Sequence, residues 1–319
     1  VRPGHRVPTS NLQTKEPTGL RGMATATTPT QMHDQLAKPS VAKPAAPVHS
    51  EPAHSEPGVP IIGRINWPGL RTLYVKEVRR FFKVQLQTVW APAITTLLFL
   101  AIFTVALGRG SLTVLGVPFN SFLAPGLIVM AMIQNSFANT SSSILIGKVQ
   151  GTIVDILMPP LSPGELLVSF VAGAVTRAWL VGMAVWGAMV LWPGVSVAIQ
   201  NPLAVFFYGT MGAVMLGLLG VITGLWADKF DHAAAVTNFV VQPLSLLSGT
   251  FYSIDRLAGV WNTASHFNPF FYVIDGFRSG FIGIHDGPAL GGAIALIAIN
   301  AALWTLCYWA LRTGWRTRQ

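Results

Sequence analysis

Six stretches of this sequence run for about 20 residues or more with scarcely a charge, near 88–107, 122–140, 166–192, 203–226, 234–252 and 288–311. No other feature constrains the fold as strongly. About 20 apolar residues in a helix cross the roughly 30 Å of bilayer hydrocarbon. In lipid every backbone N–H and C=O must be paired within the protein, and a helix does this within one segment. The expected fold is therefore an all-α membrane protein with six transmembrane helices. Composition agrees: 51% of the 319 residues are hydrophobic and 10% are charged, against about 25% charged in soluble domains.

The net charge of +9 raises nucleic acid as a partner, but the basic residues are better explained by membrane topology. With the N-terminus inside, the inner segments carry Arg64, Arg71, Lys76, Arg79, Arg80, Lys83, Lys148, Lys229, Arg312, Arg316 and Arg318. The outer loops carry Arg109, Arg256 and Arg278. Basic residues concentrate on the cytoplasmic side, so both termini are expected inside, with the bilayer and not nucleic acid as the partner. Cys307, the only cysteine, rules out a disulfide within one chain.

Residues 1–60 differ from the rest. They hold Pro-rich runs such as VAKPAAPVHSEPAHSEPGVP (41–60) and cannot bury enough apolar surface to fold. They are expected to form a disordered cytoplasmic tail, leaving 61–319 as the membrane domain. His33, His49 and His54 have no compact metal-site spacing, and no metal is expected. No apolar leader follows the early basic residues. The chain opens on Val1, with Met23 and Met32 as alternative starts.

PGLRTLYVKEVRRFFK (68–83) puts Leu70, Leu73, Tyr74, Val78, Phe81 and Phe82 on one face at 100° per residue, and Lys76, Arg79, Arg80 and Lys83 on the other. An ordinary helix on a soluble core would show the same pattern. Because an apolar span follows at once, an amphipathic helix in the membrane interface is expected. Arg71, Lys76, Glu77, Arg79 and Arg80 are its polar members.

Two spans carry polar residues: Gln134, Asn135 and Asn139 in the second, and Asn238, Gln242, Ser245 and Ser248 in the fifth. Such residues face protein or water rather than lipid. They either line a pathway or bond between helices. Arg177 is a charge within a span, as an anion contact or as a structural partner. WNTASHFNPFFYVIDGFRSGFIG (261–283) reads as short helices dipping into the outer interface before the last span, with Asp275 and Arg278 spaced to pair at i, i+3.

Several chemistries lack their residues. Gly147-Lys148 is followed by Val149, not Ser or Thr, so there is no phosphate-binding P-loop. HExxH, CxxC and GxSxG are absent, and His232, His266 and His285 all fall in loops, which disfavours an embedded hydrolase. Asp155, Glu165, Asp228, Asp231, Asp255, Asp275 and Asp286 lie outside the six spans, which weakens an ion-coupled secondary transporter without removing it. A non-transporting assembly factor is a third alternative. The chain has the makings of a pathway with no energy source of its own.

The loop GTIVDILMPPLSPGEL (151–166) addresses that gap. Ile153, Ile156 and Leu157 form an apolar face over two helical turns, with Thr152 and Asp155 on another. Pro159-Pro160 stops the helix. Ser162, Pro163 and Glu165 form a capping box that starts the third span. A short helix joined stiffly to a span can carry a push from a partner, or it can merely anchor the loop.

This loop, together with FLAPGLIVMAMIQNSFANTSSSILIGKVQ before it and QPLSLLSGTFYSIDRLAGVWNTASHFNPFFYVIDGFRSGF (242–281), resembles the permeases of type-2 ABC exporters over residues 65–312. The resemblance implies a permease dimer, most simply of two copies of this chain, above separate ATP-binding subunits that hold ATP and Mg, with no cofactor or catalytic residue on this chain. Gly151, Thr152, Ile153, Asp155, Ile156, Leu157, Met158, Pro159 and Pro160 would be its coupling helix. The helix at 68–83 would be a second contact with the ATPase. Met130, Gln134, Asn135, Gln242, Ser245 and Ser248 would lie near the pathway of a hydrophobic or amphiphilic substrate.

Overall fold

The computed structural model describes residues 65–106, 113–192, 194–253 and 259–315. The expected tail 1–60 lies outside them, as do Arg64, Arg109, Asp255, Arg256, Arg316 and Arg318. The chain divides into two units, Val1–Val59 and Pro60–Gln319, and every described element belongs to the second.

The described residues of that unit form helices joined by short loops and, between the first two long helices, one small hairpin. Helix α1 (Trp67–Phe82) is capped by Asn66, whose side chain accepts from Gly69 N at 3.0 Å. A π turn, Leu86–Trp90, leads into α2 (Ala91–Ala106). Strands β1 (Thr113–Val114) and β2 (Val117–Pro118) pair antiparallel around Leu115 and Gly116, both at positive φ. Then follow α3 (Phe119–Val149), α4 (Ile153–Leu157), α5 (Pro163–Val190) and α6 (Pro202–Trp226). Next come α7 (Phe230–Val236), a second π turn (Thr237–Val241) and α8 (Gln242–Leu247). Helices α9 (Val260–Phe267), α10 (Pro269–Ile282) and α11 (Ala289–Thr313) complete the unit.

Among the described residues, five helices are long and apolar enough to cross a membrane: Leu86–Val105, Phe119–Val149, Pro163–Val190, Pro202–Trp226 and Ala289–Thr313. The stretch expected as the fifth span, 234–252, is not one such helix. It stops at Leu247 before Gly249 at φ 73°, and its run from Phe230 is continuous, α7 passing into α8 through a π turn. The cause is local. Pro243 has no N–H, so the i→i−4 bond to residue 239 cannot form, and the helix widens into a π turn at 237–241. The same happens lower in the chain, where Pro92 follows the π turn at 86–90.

Helix α3 is longer than the expected 122–140. Its polar NTSSS run stays helical because the hydroxyls are paired with carbonyls one turn back: Ser141 Oγ to Phe137 O at 2.8 Å and Ser142 Oγ to Ala138 O at 2.6 Å. The expected short helices before the last span are α9 and α10, the latter capped by Asn268.

Helix α3 is the centre of the bundle. Of its most apolar window 89% is buried, against 22% for α2 and for α11. Its closest neighbour is α6, where glycines let the backbones approach. A Cβ on Gly220 would stand 2.6 Å from Phe137 O, and one on Gly224 would stand 2.9 Å from Ile144 Cβ. Across the same seam Thr140 Oγ1 donates to Gly217 O at 2.7 Å, and Ser136 Oγ donates to Ala213 O. Small residues plus hydroxyl-to-backbone bonds are how helices associate where no hydrophobic effect drives them together.

Gly220→Ala should therefore cost about 1–3 kcal/mol by overpacking, read as a lower melting temperature in detergent. Gly187→Ala on α5 is the control, because nothing lies within 4 Å of its added Cβ. Equal melting of the two variants would refute the close-packed seam.

Candidate functional site

Three helix ends meet around the loop between α3 and α5. Helix α3 ends at Gln150, and Gly151 takes φ 72°, a left-handed conformation that turns the chain into α4. The apolar face expected for α4 is turned inward. Ile153 and Ile156 pack against Ile144, Leu167, Phe170 and Leu225. Val154, Asp155 and Met158 face out, with Val154 52% and Met158 77% exposed. Thr152, Pro159 and Pro160 are exposed as well. Val154 is a surface residue that the sequence pattern did not single out. The inward face of a two-turn helix can be read from spacing, but its outward edge depends on where the bundle lies. The side chain of Leu157 lies outside the described residues.

The joint from α4 to α5 is stiff for identifiable reasons. Ser162 and Glu165 form the expected capping box: Ser162 N donates to Glu165 Oε2 at 2.6 Å, and Glu165 N donates to Ser162 Oγ at 3.3 Å. Glu165 Oε1 also accepts from Asn66 N at 2.6 Å, and Asn66 Nδ2 donates to Pro160 O at 3.2 Å. One carboxylate thus ties the start of α1, the proline turn and the start of α5 together. On the other side of α4, Lys148 Nζ donates to Leu225 O, Ala227 O and Asp228 Oδ1 at 2.8–3.0 Å. A cation satisfying carbonyls at the end of α6 complements the negative end of that helix. A cleft of about 510 Å³ separates α1 from α4, with Gly69, Leu73 and Lys76 on one wall and Thr152, Asp155 and Ile156 on the other.

Helix α1 departs from a simple amphipathic pattern. Arg71, Lys76 and Arg79 are exposed, but Glu77 is fully buried. It accepts from Ser143 Oγ at 2.7 Å and from Arg80 Nη2 at 3.1 Å. Arg80 turns inward with it, donating to Asn139 O at 2.7 Å and to Ser142 Oγ at 3.1 Å. On the apolar face Phe81 is buried and Phe82 is 46% exposed. The reason is α3: its Asn139–Ser143 run offers polar partners, so Glu77 and Arg80 face the bundle. The only sequence sign was that polar run opposite a helix with both charges.

The residues expected near a pathway separate into two groups. Met130, Gln134 and Asn135 line a cavity of about 310 Å³ between α2 and α3, with Phe99 and Phe251 also in its wall. Gln134 Nε2 donates to Gln242 Oε1 at 3.2 Å, which joins α3 to α8. Ser245 and Ser248 are not on this cavity. Both are buried and bonded to their own helix, Ser245 to Val241 O at 2.7 Å and Ser248 to Leu244 O, and Ser248 also accepts from Asn268 Nδ2 at 2.8 Å. Asp275 and Arg278, spaced to pair, do not. Asp275 accepts from the backbone N–H of Asp286 at 2.7 Å and of Gly287 at 3.2 Å. Arg278 lies over the Phe122 ring at 3.8 Å and donates to Gly249 O. No group of three or more His, Cys, Asp or Glu suited to a metal occurs among the described residues.

Comparison with known proteins bears on the whole of this unit. The ABC-2 type transporter family profile matches residues 68–282. Inner membrane transport permease YadH of Escherichia coli (strain K12) is 33% identical over 250 residues, covering 78% of this chain and 97% of that one. Nodulation protein J of Neorhizobium galegae is 24% identical over 251 residues, 74% of this chain and 90% of that one. Nodulation protein J of Sinorhizobium fredii (strain NBRC 101917 / NGR234) is 25% identical over 204 residues, 61% and 73% of the two chains.

Removing the Glu165 carboxylate strands two backbone donors, the N–H groups of Ser162 and Asn66. Both bonds run to a charged acceptor, the stronger kind, so Glu165→Ala should lower the melting temperature more than Ser162→Ala does. Ser162→Ala, losing one cap bond, should cost about 1 kcal/mol. Melting in detergent checks the order; Ser162→Ala as damaging as Glu165→Ala would contradict the three-way clamp.

Proposed function

Because the chain belongs to the ABC-2 type transporter family, a premise carried by the profile match over residues 68–282 and by 33% identity to YadH across 97% of that permease, we propose that it is the membrane permease subunit of an ATP-driven exporter. It is a transporter permease of the bacterial inner membrane and passes through that membrane several times. In this reading, α7 and α8, continuous through their π turn, make a sixth crossing and both termini lie inside. Two copies form the transmembrane part, ATP is bound and hydrolysed with Mg on separate subunits, and the cargo is hydrophobic or amphiphilic.

The observation that carries the coupling role is the mounting of α4. Its apolar side is fixed on the bundle, its outward edge of Val154, Asp155 and Met158 is free, and both its ends are tied, by Lys148 to α6 and through the Glu165 clamp to α1 and α5. A short helix held this way has little freedom to absorb a displacement. When the ATPase subunits close, a push on the outward edge moves α3 and α5 as rigid rods, the condition for alternating access. Arg71 and Arg79 on the exposed side of α1 provide a second contact across the cleft. Met130, Gln134, Asn135 and Gln242 flank the route.

Affinity purification of the tagged chain in mild detergent, followed by mass spectrometry and an ATPase assay, tests the proposal. A stoichiometric ATP-binding subunit is expected. Asp155→Arg should lower its recovery about tenfold or more without changing the melting temperature of the permease. A glycine inserted after Pro159 should leave ATP hydrolysis running without transport. A partnerless preparation with no ATPase activity would reject the reading in favour of an ion-coupled carrier.

A further inference from the structure

The interior of the α1, α3 and α5 junction carries more positive charge than it neutralises. Arg177 on α5 is nine-tenths buried. Its one hydrogen bond runs from Nη2 to Asn135 Oδ1 at 2.8 Å, and Nε has no partner. No carboxylate among the described residues lies within 4 Å of it. The carboxylate of the neighbouring cluster, Glu77, is engaged by Arg80 and Ser143, and Arg80 is itself a second cation acting on Arg177. Two guanidinium charges thus face one carboxylate. A buried charge without a counter-ion is costly, and a chain that keeps one has a use for it or pairs it with something it binds.

Asn135 connects that charge to a space. Its Oδ1 holds Arg177, while the residue forms part of the wall of the 310 Å³ cavity between α2 and α3. The cavity lining is mixed. Gln87 of the π turn, Gln134 and Asn135 supply amides, the last of them bonded to Arg177, while Phe99, Leu127 and Phe251 supply apolar surface, with the Phe99 and Phe251 rings 6.5 Å apart. Its volume falls at the lower end of the range for small-molecule sites, about 300–1,000 Å³.

We infer that this cavity binds amphiphiles with an anionic head, a carboxylate or a phosphate, with the head at Gln134 and Asn135, the tail toward Phe99 and Phe251, and Arg177 as the residue that sets the sign of the charge. Arg177 does not line the cavity; it acts through Asn135, polarising the amide and supplying a field that a low-dielectric interior screens weakly. The inference deepens the permease reading by naming a cargo class, and it rests on that reading only for the step from binding to transport.

The test uses the full chain in neutral detergent and a matched pair of probes, 11-(dansylamino)undecanoate and the corresponding trimethylammonium amphiphile. Energy transfer from protein tryptophan to dansyl reports binding. The anionic probe should bind at least about fivefold more tightly than the cationic one. Arg177→Gln should bring the two within about twofold, and Arg177→Lys should restore the preference. Asn135→Asp places a carboxylate on the guanidinium, so it should abolish the preference even if Arg177→Gln fails to fold. Met130→Trp, filling the cavity, should weaken both probes. Equal binding by the wild type, a preference that survives both Arg177→Gln and Asn135→Asp, or binding untouched by Met130→Trp would each overturn the inference. None of these readouts needs the ATPase, so a failed co-purification and a failed charge preference are separate results.

Discussion

The structure is organised around the contact of α3 with α6. Two helices in lipid gain little from hiding apolar side chains from each other, because the lipid is as apolar as they are. They hold together when their backbones come close enough for many weak contacts and for hydroxyls to reach carbonyls. Gly217, Gly220 and Gly224 supply the closeness, and Ser136 and Thr140 supply the bonds. With α6 and α5 both packed on α3, and on each other at Gly217, α3 becomes the most enclosed helix, and its two ends become fixed points.

What α3 carries at its ends follows from that. At one end Lys148 is anchored to the C-terminus of α6, and Gly151 turns the chain into α4 against the bundle. Near its middle Asn135 and Asn139 hold Arg177 and Arg80, drawing α5 and α1 inward. The short outward helix and the buried charge cluster are therefore mounted on the same rod. A displacement at α4 is felt where Asn135 meets the α2–α3 cavity, about three to five turns away along α3 at 5.4 Å per turn. This is the physical link between an energy-receiving surface and a substrate-facing one in the proposed mechanism.

Much of this was legible from residue order. The capping box at Ser162 and Glu165 is a local signal: its geometry is set by residues three apart, and it is present. The helical nature of the apolar stretches, the proline stop after α4 and the short helices at 260–282 are local too. The boundaries of α3 were harder, because an Asn-Thr-Ser run reads as a loop until its hydroxyls are seen to bond one turn back. The π turn in the 234–252 stretch is written in Pro243, but a proline can kink a helix or end it, and only the structure shows that this one runs on to Leu247.

The sequence by itself determined that this chain is a bundle of membrane-length helices with a rigid short helix between the second and third, because hydrophobic length, proline and caps act within a few residues of where they stand. Tertiary structure alone decided which faces those helices present. Glu77 and Arg80 turn inward because α3 offers Ser143 and Asn139. Asp275 and Arg278 part company because backbone donors and an aromatic ring compete for them. Asn135 joins the wall of a cavity that α2 completes. In each case a group outside the helix itself decides, so the outcome depends on packing that no local pattern encodes.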